Sequence, residues 1–181
     1  MIIRPSPVLS RSIVLRVSVP ARRAFLIGSS KRSHENRIFA NVRIPDELHT
    51  LTLLSAADSR PLITLWTASW CRTCQAIKPI VKGMIEDERV GEKEGGLGYA
   101  EVELDSVLIG DLGVNYMIAS MPTLLAFSRQ EAQLETKLTH PEQMKNKEFL
   151  RNWLLEEARR GGREGGSDDS LLGGLFGGRR Y

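Results

Sequence analysis

The sequence predicts an α/β fold: a central mixed sheet of about five strands, flanked on both faces by about four helices. Three observations carry that expectation. Leu62–Thr67 is a continuous β-prone run, as in a strand buried on both faces. Helical and strand patterns alternate on either side of it. Two strand-like runs, close together, then precede a last amphipathic helix, which makes the end of the sheet a hairpin.

Taken in order, residues 37–43 read as a short strand, with Ile38, Val42 and Ile44 apolar. Pro45-Asp46-Glu47 marks a helix start, because an early proline forfeits no helical bond and acids meet the positive end of the helix dipole. Leu48, Leu51, Leu54 and Ala57 recur at helical spacing, and Asp58-Ser59-Arg60-Pro61 stops the helix. After the Leu62–Thr67 strand, a second helix is predicted over 71–89, its apolar face made by Ile77, Ile80, Val81, Met84 and Ile85. Gly91 to Gly98 is a charged, glycine-rich loop; 99–104 is a strand and 107–112 a short helix. Thr123–Ser128 is a strand, 129–132 a turn and 133–139 the returning strand. Residues 141–160 close as a helix with Met144, Phe149, Trp153 and Leu154 inward. The order is βαβαβαββα.

Composition bounds the function. The 181 residues are 41% hydrophobic and 26% charged, enough for a real core and wrong for a disordered chain. No stretch reaches the ~20 uncharged apolar residues of a membrane span. Two cysteines are too few for a disulfide-stapled scaffold. The net charge of +3 is a sum over unlike pieces: residues 1–44 hold nine basic groups and one acid, and residues 45–181 hold 16 basic and 21 acidic groups. A nucleic-acid-binding domain would carry the excess on a folded surface. Here it lies in a Ser- and Arg-rich front segment, the pattern of a mitochondrial presequence. Arg11 and Arg16 interrupt the apolar run that a secretory signal would need. Arg23-Ala24-Phe25-Leu26-Ile27-Gly28 resembles a two-step processing pattern, with the octapeptide 25–32 removed and Ser33 as the new first residue. Residues 161–181 contain 8 of the 16 glycines and read as a floppy tail in which Leu171, Leu172, Leu175 and Phe176 form one short apolar patch. The expected organisation is therefore a presequence (1–32), one compact domain (33–160) and a glycine-rich tail (161–181).

The chemistry concentrates at Trp70-Cys71-Arg72-Thr73-Cys74, which holds both cysteines. They follow the central strand and open a helix. A helix N-terminus carries partial positive charge, so it stabilises a thiolate at Cys71. The spacing puts both sulfurs on one turn, where a disulfide can close and reopen. Cys71 is exposed at the helix start and Cys74 lies one turn in, so the first can attack and the second resolve the mixed disulfide. A zinc site would want four ligands; no third Cys exists, and His34, His49 and His140 lack paired spacing. Two inert core cysteines or a glutathione-assisted iron–sulfur site are the other readings of the motif.

The same residues resemble the thioredoxin family over about residues 37–158. Trp70-Cys71-Arg72-Thr73-Cys74 matches its W-C-x-x-C, Pro79 its kink proline, and Met121-Pro122-Thr123 its cis-proline loop. Asp105, Tyr116, Phe127 and Lys147-Glu148-Phe149-Leu150 also fall where such folds have similar residues. The resemblance implies a three-layer thioredoxin fold and a thiol–disulfide oxidoreductase of the protein-disulfide reductase type. It implies Cys71 and Cys74 as the reacting pair, and Trp70, Arg72, Thr73, Met121, Pro122 and Thr123 as the substrate-binding surface. Protein disulfides are the implied substrates, and a thioredoxin reductase or glutathione the electron donor. No cofactor or metal is expected beyond the Cys71–Cys74 disulfide, and a monomer is expected.

Two departures stand out. Arg72-Thr73 replaces the usual Gly-Pro, which predicts a more oxidising pair and adds a cation near the sulfurs. Leu65 stands where thioredoxins carry a buried Asp, and Glu101 where they carry its Lys partner. Glu101 is expected to face solvent; turned inward, it would be a proton acceptor for Cys74. Leu65 and Glu101 also leave open a binding module with little turnover, or a subunit of a larger mitochondrial assembly.

Overall fold

The computed structural model describes residues 35–162. The expected presequence, its processing sites and residues 163–181 of the tail lie outside the described residues.

One five-stranded sheet is built from β1 (Arg37–Ile38), β2 (Leu62–Thr67), β3 (Gly98–Glu103), β4 (Thr123–Ser128) and β5 (Glu131–Ala132), in the order β1-β3-β2-β4-β5. The pairs β1·β3 and β3·β2 are parallel, and β2·β4 and β4·β5 are antiparallel, so the sheet is mixed. Parallel pairing needs crossover connections. These are α1 (Pro45–Ala57) between β1 and β2, and α2 (Arg72–Glu86) between β2 and β3. The short α3 (Leu112–Asn115) follows β3, and α4 (Pro141–Lys145) and α5 (Lys147–Gly162) follow β5.

Strand side chains alternate faces, so β2 feeds two apolar layers. Ile63 and Leu65 meet Ile77, Val81, Met84 and Ile85 of α2 and Leu150, Trp153 and Leu154 of α5. Leu62 and Trp66 meet Leu48 of α1, Leu112 of α3, and Leu125 and Phe127 of β4. Helix, sheet and helix thus form three layers. On the second face Tyr116 stands between Trp66 and Phe127, with ring centroids 5.6 and 5.1 Å away.

Several boundaries differ from expectation for identifiable reasons. The first strand is only Arg37–Ile38, and Val42 rejoins the sheet as a single bridge to Val102. In α1 the buried stripe is Leu48, Thr52 and Ser55, while Leu54 and Ala57 are exposed. The two hydroxyls are satisfied locally, by His49 O and Arg60 O respectively, which lets polar residues face inward. Helix α2 stops at Glu86 rather than 89. Arg89 is left-handed (φ 51°), and the Val90 N–H returns to Met84 O at 3.0 Å. The helix expected over 107–112 starts at Leu112, after Gly110 at φ 57°; Val107 and Leu108 are exposed.

The hairpin turns earlier than expected. Arg129 and Gln130 are both left-handed (φ 52° and 71°), a two-residue turn that sequence does not announce without Gly or Asn. The returning strand is therefore Glu131–Ala132 rather than 133–139. Leu134–Thr136 is a 3₁₀ turn, and Leu138 bridges back to Leu124. The last helix is two. Asn146 separates them, its Oδ1 accepting the N–H groups of Glu148 and Phe149 at 3.1 Å, as an N-cap does. That places Phe149 in an exposed first turn instead of inward; Leu150 takes the buried position. Helix α5 runs to Gly162, two residues past the expected end, and a Cβ on Gly161 would lie 2.3 Å from Pro61 Cδ. Only glycine allows that close approach.

Candidate redox site

The C-terminal end of β2 leads into α2 through Ala68-Ser69-Trp70. The Cys71 N–H donates to Ala68 O at 3.1 Å. Cys71 is the N-cap of α2, with extended backbone (φ −79°, ψ 99°). Its sulfur accepts the Cys74 N–H at 3.1 Å. Cys71 therefore fills the position usually taken by Ser, Thr, Asp or Asn, and its sulfur lies at the positive end of the helix. That location favours negative charge on the sulfur. The two sulfurs are joined as a disulfide, with Cα atoms 5.3 Å apart.

Cys71 is not exposed as expected: it is buried at 8% exposure, packed with Ala68 and Met121, and Cys74 is fully buried. Trp70 beside them is 69% exposed. Arg72 is exposed and Thr73 half-buried in the first turn of α2. Pro79 lies inside the helix. It lacks the N–H that would have bonded the carbonyl one turn back.

The loop before β4 faces the pair. Met121 packs on the cluster of Ala68, Cys71 and Cys74, and the Met121-Pro122 peptide is cis. Pro122 is buried, and Thr123 opens β4 with its hydroxyl donating to Ser120 O at 2.7 Å. Two elements distant in sequence, the start of α2 and this loop, thus share one end of the sheet. Ser69 is held between α2 and the loop after β3. Its N–H donates to Asp105 Oδ2 at 2.9 Å, its hydroxyl donates to the same oxygen, and its carbonyl accepts from Gln75 Nε2 at 2.9 Å. The Ser69 hydrogen bonds hold the Asp105 carboxyl below the usual range.

A family model described as Thioredoxin matches residues 49–154. The chain belongs to the thioredoxin family. A curated relative, described as probable thioredoxin-2 of Caenorhabditis elegans, is 30% identical over 86 residues, covering 48% of this chain and 54% of the relative. The chain spans about half the length of that relative. Among solved structures, thioredoxin NaTrxh of Nicotiana alata superposes with a TM-score of 0.52 at 15% identity, over 68% of this chain and 94% of that one. Thioredoxin of Malassezia sympodialis superposes with a TM-score of 0.50 at 16% identity, over 67% and 94%. These likenesses show the thioredoxin fold.

Within this thioredoxin fold, the family's acid–lysine pair is rearranged. Leu65 is fully buried against α2 and stands in register with Glu101 on β3. Glu101 does not face solvent as expected. Its side chain is 14% exposed, and Oε2 lies 2.7 Å from Lys78 Nζ. A cation on the covering helix supplies the partner that draws the carboxylate inward. Lys78 escaped notice in the sequence, although its spacing was readable: it is four residues after Cys74 and seven after Cys71, on one stripe of α2. Burial raises the Tyr99 phenol pKa, and the nearby Glu101 carboxylate raises it further. Among the described residues no group of three or more His, Cys, Asp or Glu is placed to hold a metal, and no helix is long and apolar enough to cross a membrane.

Proposed function

We propose that this protein is a mitochondrial thioredoxin-like thiol–disulfide oxidoreductase acting on protein disulfides. One observation carries the reading: a cysteine at the N-cap of α2 with its partner buried one turn in, opposite the Met121-Pro122 loop. Membership of the thioredoxin family supports it. Cys71 attacks a substrate disulfide as the thiolate, forming a mixed disulfide and releasing the first substrate thiolate. Cys74 then attacks Cys71, the second substrate thiolate leaves, and two electrons have passed to the substrate. Trp70 forms an apolar rim for the substrate, with Arg72 and Thr73 beside it, and Met121, Pro122 and Thr123 line the opposite wall. A thioredoxin reductase or glutathione returns the electrons, and the working unit is a monomer.

Insulin reduction by the full chain with dithiothreitol is the test. Precipitation of the insulin B chain well ahead of the dithiothreitol-only reaction is expected, and no acceleration would overturn the reductase reading. A Cys71–Cys74 potential near ~−270 mV suits a reductase, and one near ~−120 to −180 mV an oxidant or isomerase. The mitochondrial address rests on the basic, Ser- and Arg-rich residues 1–32. Fused to a reporter, that segment is expected to drive import into isolated mitochondria, with loss of import when the membrane potential is collapsed. A reporter left outside would remove the localisation and the presequence together.

The buried Leu65 in place of an acid favours a second reading, a binding module with slow turnover. Capture of partners from mitochondrial extract by Cys74→Ser separates the two: reductant-sensitive adducts belong to the enzyme, and non-covalent capture alone to the module.

A further inference from the structure

Cys71 stands between two exposed side chains. Trp70 before it is 69% exposed, and Arg72 after it is exposed in the first turn of α2. Arg72 is misplaced for helix stability. The amino end of a helix favours acids and disfavours cations. The first turn of α2 holds no acid, and the residues three and four further along, Gln75 and Ala76, supply no countercharge on the same stripe. Gln75 is itself engaged, its Nε2 donating to Ser69 O at 2.9 Å. Charged side chains of the neighbouring elements pair with one another. Lys78 lies 2.7 Å from Glu101 and Arg43 lies 2.8 Å from Glu103, while Asp105 accepts from Ser69. Arg72 makes no ion pair among the described residues. A guanidinium with five N–H donors thus stands uncompensated next to the sulfur that attacks.

We propose that Arg72 is a specificity-determining residue of the exchange reaction, selecting protein disulfides whose cysteine lies within about two residues of an aspartate or glutamate. The inference rests on the reaction proposed above and names its substrate class. In the first step the Cys71 thiolate bonds to one substrate sulfur. The substrate disulfide breaks, and its other sulfur leaves as thiolate with the bonding pair. An acidic neighbour on the substrate is repelled by the approaching thiolate. A cation adjacent to Cys71 offsets that repulsion and adds an attraction. The reach is suitable, because an extended chain advances about 3.3 Å per residue, so a carboxylate one or two residues from the attacked sulfur meets an arginine one residue from Cys71. The planar guanidinium also matches a carboxylate with two parallel N–H···O bonds, which a lysine ammonium does not.

Three peptides test this. Each is a symmetrical dimer joined by one disulfide, and they are identical except that glutamate, glutamine or lysine flanks the cysteine. The reduced full chain is mixed rapidly with each at fixed ionic strength, and the first release of peptide thiol is followed. Each rate is divided by that of dithiothreitol on the same peptide, which corrects for the peptide's own reactivity. The wild-type protein is expected to cleave the glutamate peptide about fivefold faster than the lysine peptide, with the gap closing as salt is raised. Arg72→Gln should level the three rates, Arg72→Glu should reverse their order, and Arg72→Lys should keep the order with a smaller gap. Each protein is compared with itself across peptides, so a change in Cys71 reactivity cancels. No preference in the wild-type protein, or the same preference in Arg72→Gln, overturns the inference and leaves the exchange reaction standing. Failure of the wild-type protein to cleave any of the three overturns the exchange reaction, and the inference with it.

Discussion

Cys71→Ser is expected to abolish disulfide exchange, whereas Cys74→Ser should leave the first half of the reaction and remove the second. The asymmetry follows from geometry. Cys71 is the less buried member of the pair, at the helix N-terminus where negative charge is stabilised. A serine hydroxyl there is not ionised near neutral pH and is a far weaker nucleophile than a thiolate. Insulin reduction should fall by at least about 10³-fold, to the dithiothreitol-only rate. Cys74 is fully buried and cannot meet a protein substrate directly. With serine at 74, attack by Cys71 still occurs, but the mixed disulfide has no internal exit and accumulates. Mass spectrometry of the Cys74→Ser protein after incubation with a disulfide peptide should show a stable adduct on Cys71. An adduct on the Cys71→Ser protein at Cys74, or full insulin turnover by either variant, would reverse the assigned roles.

Much of this site was legible in the sequence because its signals are local. A strand pattern, two cysteines three apart and a helical pattern are adjacent along the chain, and they fix a helix start under a sulfur. The Met121-Pro122 loop was legible only through the resemblance, since nothing at 121–123 alone distinguishes it from an ordinary turn. What the sequence hid was long-range. Glu101 looked like an exposed strand residue until Lys78, 23 positions earlier, was placed over it by the packing of α2 on β3. Thr67 looked like the end of a buried strand; its buried Oγ1 proves to have no hydrogen-bond partner among the described residues. The fold errors have a similar origin. Arg129-Gln130 makes a turn whose left-handed residues are not of the favoured type, so the strand register downstream slid by two. Asn146, read as an interior helix residue, uses its side chain to cap and thereby splits the helix.

Trp66→Ala is expected to be the most destabilising single change away from the cysteines. Trp66 is fully buried on β2, the strand that delivers the chain to Ala68 and Cys71. Removing its side chain opens the layer between the sheet and α1 and costs about 3–5 kcal/mol, a large part of the whole stability of an ordinary domain. Two further losses act in the same direction. The Trp66 Nε1–H donates to Thr64 Oγ1 at 2.9 Å, and that hydroxyl in turn donates to Leu125 O at 2.7 Å, so the buried Thr64 oxygen loses its donor. Tyr116 loses one of the two rings that hold it, keeping only the edge contact with Phe127. Tyr116 precedes the segment that leads to Met121-Pro122, so this packing also sets the far wall of the site. Urea unfolding should show the midpoint lowered with little change in slope, and the thermal midpoint should drop by on the order of 10–20 °C. Trp66→Phe keeps most of the apolar volume and loses the indole N–H, so a smaller loss is expected. Equal costs for the two variants, or a cost below about 1 kcal/mol for Trp66→Ala, would show that the indole is not the anchor of this layer.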